Sequence, residues 1–367
     1  MITSPKVSVP LPLPPAPLPA PAARLRADLL AWYDGARRVL PWRAPPGEVA
    51  DPWAVLVSEI MLQQTTVATV TPRFGPFLAR FPTPSAMAAA PLDDVLHAWQ
   101  GLGYYRRARG LHATAVAIRD RHGGRVPGTV AALEALPGIG AYTAAAVAAI
   151  AFGEAVVPVD GNVARVLARL LAHAAPPSPT KAEFRPAAMA LAHPARAGEL
   201  AQAVMELGAL VCTPRRPACG GCPWRHACRA HATGRTAELP VRAAKPARPT
   251  RHAVAMLIED GAGGICFRRR PDEGLLGGLI ELPMSPLRDR PFASEAELLA
   301  ALPAADWRQL PGGVRHVFTH FTLEVVLVEG QPAVPIADGF FQPRERLHEL
   351  ALPTLTRKVL RHAGIAP

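Results

Sequence analysis

At 367 residues, half of them hydrophobic, the chain is long enough for two cores and too apolar to be disordered as a whole. Its formal charge is +11 and its pI near 10.2, which points to a polyanionic partner; residues 181–252 alone hold 12 Lys and Arg against 4 Asp and Glu, a local +8. No stretch is both long and apolar enough to span a bilayer and no basic amphipathic helix stands out, so no membrane partner is expected.

In chain order, VSVPLPLPPAPLPAPAA sets proline at almost every second position, which prevents a helical export core. Residues 1–24 therefore read as a disordered, polyproline-like tail and the protein as intracellular. From Leu25 to about Phe152 the pattern is helical: ADLLAWYDGAR, WAVLVSEIMLQQTTVATVTPRF, LDDVLHAWQ, RARGLHATAVAIRDRHG, TVAALEAL and YTAAAVAAIAFG repeat apolar residues at helical spacing. NVARVLARLLAH, TKAEFRPAAMALA and GELAQAVMELGALV continue it, and no strand is expected before residue 250. Residues 233–250, rich in Pro, Arg and Ala without apolar period, read as a linker. Beyond it HAVAMLIED, GGICFRRR and FTLEVVLVE read as strands, SEAELLAAL and LTRKVLRHAG as helices. The fold class is thus mainly α, multi-domain, with a smaller C-terminal α/β domain.

Four of the five cysteines, Cys212, Cys219, Cys222 and Cys228, form a C-x6-C-x2-C-x5-C run. Two disulfides do not suit a reducing compartment. Zinc takes four thiolates, but its sites pair ligands on close knuckles. The wide outer spacing here suits an iron–sulfur cube better, without excluding zinc. Cys266 stands alone in an expected strand and reads as a small buried side chain. Arg215, Arg216, Arg225, His226 and Arg229 flank the run, either as solvated surface or as phosphate contacts.

LPGIG places Gly138 and Gly140 in a turn between helices, where exposed N–H groups suit a phosphate oxygen; taken alone the signal is weak, and a plain connector is the commoner reading. Two carboxylates attract notice. Glu59 lies among apolar neighbours and reads equally as a satisfied buried acid or as a working one, since burial would raise its pKa and let it keep a proton near neutral pH. Asp160 directly precedes a helix, and an N-cap is its simplest reading. QQT at Gln63–Thr65 and GLGYY with Tyr104 and Tyr105 offer polar and aromatic side chains near helix ends, of the kind that wedge into a base stack, although each taken singly reads first as ordinary surface or core.

In this order, LPWR, SEIMLQQTTVATV, GLGYYRRARGLH, LPGIG, VDGNVARVLAR and the four-cysteine run resemble the helix-hairpin-helix DNA glycosylases with an iron–sulfur loop, the superfamily that includes endonuclease III. Within it they are similar to the MutY family of adenine DNA glycosylases. The resemblance runs from about Leu25 to the C-terminus. It implies two helical lobes, a six-helix barrel over about 48–155 and a lobe of 25–47 with 156–232 carrying a [4Fe-4S] cluster on the four cysteines. It implies that Glu59 protonates a flipped adenine and that Asp160 stabilises the oxocarbenium-like sugar, with Tyr142 and Asn162 assisting. Gln64, Tyr104, Gly138, Gly140 and Arg43 fall at DNA-contact positions.

Tyr142 stands where bifunctional relatives carry a lysine, and tyrosine has no amine for a Schiff base, so base removal without strand cleavage is implied. Residues 251–367 resemble the family's Nudix-like domain, without a run like the Nudix catalytic box. There the loop Phe318-Thr319-His320 corresponds to an F-S-H loop that recognises 8-oxoguanine, with threonine in place of serine. The implied partner is duplex DNA with A opposite 8-oxoguanine or G, met by a monomer in a bacterial cytoplasm at the nucleoid. Two other readings remain: a bifunctional glycosylase for damaged pyrimidines, and a non-catalytic DNA-binding protein with a cluster.

Overall fold

The computed structural model describes residues 17–241 and 247–367. They divide into two units, one joining the chain up to Ala88 with Ala113–Ala244 and the other joining Ala89–His112 with Lys245–Pro367. Residues 1–16 of the expected tail and 242–246 of the expected linker lie outside the described residues.

Twelve helices precede the first strand among the described residues. They are α1 (Ala22–Ala36), α2 (Pro52–Leu62), α3 (Val67–Arg80), α4 (Pro84–Ala89), α5 (Leu92–Ala98) and α6 (Arg106–His122). Then come α7 (Val130–Glu134), α8 (Ala141–Phe152), α9 (Gly161–Leu171), α10 (Arg185–Leu191), α11 (Ala197–Leu210) and α12 (Arg229–Ala232). The run WAVLVSEIMLQQTTVATVTPRF, expected as one helical stretch, is two helices. Gln64 takes a left-handed backbone (φ 55°) and Thr66 caps α3 by accepting from Thr69 N.

Helix α9 shows why the first unit holds together. Its apolar residues Val163, Val166, Leu167 and Leu170 are buried on one side and meet Leu25, Leu29 and Tyr33 of α1 and Leu200, Val204 and Leu207 of α11. Trp224 of the cysteine loop closes this core, 1 % exposed, with its indole N–H on Leu25 O at 2.8 Å. The alanine-rich α8 packs on α2, α7 and α11. Small side chains let these helices approach closely: a Cβ on Gly198 of α11 would lie 3.0 Å from the Ala149 carbonyl oxygen.

In the second unit β1 (Thr250–Leu257), β2 (Ile265–Arg269), β3 (Ile280–Glu281), β4 (Arg308–Gln309), β5 (Val314–Val317), β6 (Thr322–Glu329) and β7 (Gly339–Gln342) form two sheets. β6 pairs in parallel with β1, with Val254 opposite Val326, and antiparallel with β4 and β5; β2 lies between β3 and β7. Helices α13 (Glu295–Ala300) and α14 (Thr354–His362) complete it. The long strands β1, β2 and β6 are those expected, and Cys266 is buried in β2. Strands β3, β4, β5 and β7, two to four residues each, are too short to show a period.

Residues 89–112, read as part of the helical domain, group with the C-terminal residues: Arg269 grips Asp93 at 2.7 and 3.0 Å, and Gln100 donates to Leu350 O at 2.7 Å. The start of the expected linker is also not free chain, because Leu239 is 1 % exposed and its carbonyl accepts from Arg169 Nε at 2.9 Å. No helix among the described residues is long and apolar enough to cross a membrane.

Candidate active site and cluster loop

Four elements of the first unit converge on one cleft of about 650 Å3. α2 brings Glu59, the first turn of α8 brings Tyr142, the residue before α9 brings Asp160, and α11 brings Met205 and Glu206. Glu59 is 7 % exposed, and the Tyr142 hydroxyl donates to its Oε2 at 2.8 Å while touching Met205 Sδ at 3.2 Å. Asp160 is the N-cap of α9, accepting from Val163 N at 2.7 Å on Oδ1 and from Asn162 Nδ2 at 3.0 Å on Oδ2. The simple capping reading is therefore correct, and it does not compete with chemistry, since the cap aims the carboxylate into the cleft.

Burial pushes the Glu59 carboxyl up to about 7; the Tyr142 hydrogen bond opposes this and the nearby Asp160 charge adds to it. Burial also raises Asp160, against the bonds from Val163 and Asn162. The Tyr142 hydroxyl is raised well above its ordinary value by burial and the two carboxylates, so it stays a proton donor. One acid thus holds a proton near neutral pH, beside a second that a helix N-terminus keeps supplied with donors.

Several residues that frame this pair gave no signal of their own in the sequence. Arg165 donates to Asn162 Oδ1 at 2.8 Å, to Gly208 O at 2.8 Å and to Cys212 O at 2.8 Å. Gly208 lets α11 press on the start of α9: a Cβ there would fall 2.7 Å from Asn162 Cβ. Glu206, 1 % exposed, accepts from Arg38 at 2.6 and 2.8 Å and from Arg43 at 2.9 and 3.0 Å. Burial raises its carboxyl, but the two guanidinium groups outweigh this and hold it at about 2. Arg43 therefore has its charge committed to Glu206 on the cleft wall. Lys181 also lines the cleft. Each of these is an ordinary residue on an ordinary helix or loop until the chain is folded.

The hairpin turn lies between α7 and α8, with Leu136 and Ile139 buried and Gly138 and Gly140 exposed. Gly138 has φ 81°, open to glycine at little cost, and Gly140 is the N-cap of α8. The Thr114 hydroxyl anchors the turn on Pro137 O at 2.6 Å. Gln64 lines the same cleft as Glu59 and Asp160, in its left-handed backbone between α2 and α3. Tyr104 shares that rare conformation (φ 47°) and is half exposed. It lies in the second unit, where its hydroxyl is 3.4 Å from Thr319 Oγ1 and Arg107 stacks 5.5 Å from its ring. Phe318-Thr319-His320 is the tip of the β5–β6 hairpin, closed by Phe318 N on Phe321 O at 2.9 Å. Phe318 packs against Phe321 and His316, with ring centres at 4.9 and 4.5 Å, while Thr319 and His320 are exposed.

Cys212, Cys219, Cys222 and Cys228 line one cavity together with Arg169 and Trp224. No group of three or more His, Cys, Asp or Glu among the described residues is placed to hold one metal ion. Four thiols lining one cavity are the donor set that an iron–sulfur cluster takes. Arg215, Arg216, Arg225 and His226 of the flanking set are exposed beside it.

A buried acid and a capped carboxylate in a helical cleft, a glycine hairpin and a four-thiol loop define a base-excision DNA repair protein. Residues 57–189 match the HhH-GPD superfamily of such proteins, 212–228 match the iron-sulfur binding domain of endonuclease III, and 253–362 match a NUDIX domain. The chain is 37 % identical to the human adenine DNA glycosylase over 92 % of its own length and 73 % of the relative's. To that of Mycobacterium tuberculosis it is 48 % identical over 54 % of this chain and 67 % of the relative. A solved thermostable thymine-DNA glycosylase superposes with a TM-score of 0.51 at 26 % identity, over 58 % of this chain and 97 % of that one. The chain belongs to the adenine DNA glycosylase family, and its four-cysteine loop is an iron–sulfur site.

Proposed function

We propose that the cleft excises adenine paired with 8-oxoguanine, or with guanine, from duplex DNA and leaves an abasic site with the strand intact. The observation that carries this reading is the pairing, in one cleft, of buried Glu59, its carboxyl pushed up to about 7, with Asp160, held on a helix N-terminus. Breaking an N-glycosidic bond needs an acid for the departing base and a negative group for the electron-poor sugar. Glu59 supplies its proton to the adenine ring, the base departs with the bond's electrons, and Asp160 stabilises the cation until water adds to C1′. Asn162, itself held by Arg165, fixes the Asp160 carboxylate. Tyr142 stays neutral and steadies Glu59.

The cleft has room for one extruded nucleotide, which an enzyme acting on a base needs. Gln64, in strained left-handed backbone on the cleft wall, is suited to enter the stack it leaves, and the exposed hairpin Gly138–Gly140 to contact a phosphate; Tyr104, with the same backbone in the second unit, is itself suited to contact DNA. Thr319 and His320, exposed beside Tyr104, suit contact with the base opposite, which supports the 8-oxoguanine reading. The four cysteines would hold a [4Fe-4S] cluster, which when bound supplies the scaffold of a basic loop facing DNA phosphates. Action as a monomer on chromosomal DNA in the cytoplasm belongs to the same reading.

The test is to incubate the protein with duplexes carrying A opposite 8-oxoguanine, A opposite G, or thymine glycol, with and without alkali. Adenine release with strand breaks only after alkali is expected. Breaks before alkali, or action on thymine glycol alone, would instead favour a bifunctional pyrimidine enzyme.

A further inference from the structure

Helix α9 carries chemistry at both ends. Asp160 caps its start, and Arg169 faces the cysteine loop from its last turn. Arg169 is 1 % exposed and makes four hydrogen bonds: Nη1 to Cys212 Sγ at 3.2 Å and to Thr213 O at 2.8 Å, Nη2 to Pro214 O at 3.2 Å, and Nε to Leu239 O at 2.9 Å. A buried guanidinium is tolerated only when its donors are matched, and its rigid fork can serve acceptors from separate segments at once. Here the segments are the first cluster ligand and a residue 11 positions beyond the last one, Cys228 (239 − 228).

The chain between them doubles back. After α12, Arg235 N bonds Ala230 O at 2.8 Å and Glu238 N bonds Arg235 O at 3.1 Å. Thr236 then lines the same cavity as the four thiols, and Leu239 is 1 % exposed. Composition alone makes this stretch a linker. Among the residues lining the cavity, Arg225 and His231 also carry basic side chains and bond each other at 3.1 Å, but Arg225 is exposed to solvent. Arg169 is the buried cation of the site.

We propose that Thr236–Val241 is a clasp on the cysteine loop and that Arg169 is the positioning residue that fastens it. One guanidinium then holds Cys212, which would ligate the cluster, and also anchors the segment by which the chain leaves this unit. Retention of the cluster and order of that segment become a single property. A positive charge with an N–H donor on a ligand sulfur also favours the more negative, reduced form of a cluster. Arg169 therefore raises the cluster's reduction potential, which a residue that merely fills space would not do.

The test uses the full-length, cluster-loaded protein with Arg169→Met, Arg169→Lys and Leu239→Ala. Three quantities are read: decay of the cluster's visible absorbance under an iron chelator, its reduction potential by voltammetry, and hydrogen exchange of residues 233–241. Arg169→Met should speed decay on the order of tenfold, as loss of a charged hydrogen-bond donor implies, lower the potential and release exchange across 236–241. Arg169→Lys should keep the potential near that of the parent protein while still releasing exchange. Leu239→Ala, which leaves the guanidinium in place, should speed both decay and exchange without lowering the potential. The proposal is overturned if Arg169→Met leaves exchange and decay unchanged. Should that variant not take up a cluster, parent-like exchange and decay in both other variants would overturn it equally, and release in both would sustain it.

Discussion

Glu59 and Thr319 sit in surroundings of opposite kinds. Glu59 is 7 % exposed, bonded by a tyrosine from another helix, beside a carboxylate presented by a third. Thr319 stands exposed on a four-residue hairpin turn, steadied by Phe318 and Phe321 within that turn and by the Tyr104 hydroxyl. A group that must keep a proton near pH 7 has to be desolvated, and desolvation takes several elements distant in the chain. A group that must meet a partner can be local. The cleft should therefore respond to substitutions far from the chemistry, while the hairpin tip should respond mainly in selectivity.

The largest effect is expected at Glu59. Glu59→Gln removes the proton donor and should lower single-turnover adenine release by about 10²–10⁴-fold. It should also change stability with a definite sign. Burial raises this carboxyl from 4.5 to about 7, so the folded chain binds the proton more tightly than the unfolded one. That contribution is fully present below about 4.5 and is lost as pH rises through about 7. The melting temperature of Glu59→Gln should thus gain on that of the parent protein as pH rises across this window. A parallel fall of both melting curves would break the claim that Glu59 is a costly buried acid.

Next is Gly208, which touches no reacting atom. Gly208→Ala drives a Cβ to 2.7 Å from Asn162 Cβ and must displace the residue that fixes Asp160. A shift of about 1 Å in such a site costs up to about 10²-fold in rate. Unchanged adenine release in this variant would show that the cleft is less tightly coupled to α11 than its packing implies. Tyr142→Phe should act more gently. Its hydroxyl lowers the Glu59 pKa, so removing it moves the alkaline limb of the rate profile to higher pH. A limb moving to lower pH would contradict that assignment. The smallest effect is expected at the tip: Thr319→Val should reduce the preference for A opposite 8-oxoguanine over A opposite G by several-fold, the loss of about one hydrogen bond. Rates on A opposite G should stay near those of the parent protein, measured in the same assay.

The same contrast explains what could be read before folding. Glu59 announced itself as a charge in an apolar run, the four cysteines by their spacing, and the hairpin by its glycines. The long strands β1, β2 and β6 and most helices followed from periodicity. Arg165, Arg169, Gly208 and Glu206 could not be found this way, because their meaning lies in partners brought together only by the fold: Cys212 lies 43 positions from Arg169 (212 − 169). The break between α2 and α3 was hidden for a different reason. Gln64 adopts a left-handed backbone that no local propensity favours. The burial of Leu239 was not legible in the sequence because one buried leucine carries no periodic signal.

The pH dependence of adenine release under single-turnover conditions, from a duplex with A opposite 8-oxoguanine, bears most directly on the central claim. A Glu59 that works as an acid requires the rate to fall as pH rises through about 7, with the DNA strand intact until alkali is added. A rate that holds steady or climbs to pH 9, or a Glu59→Gln protein that releases adenine as fast as its parent, would contradict it.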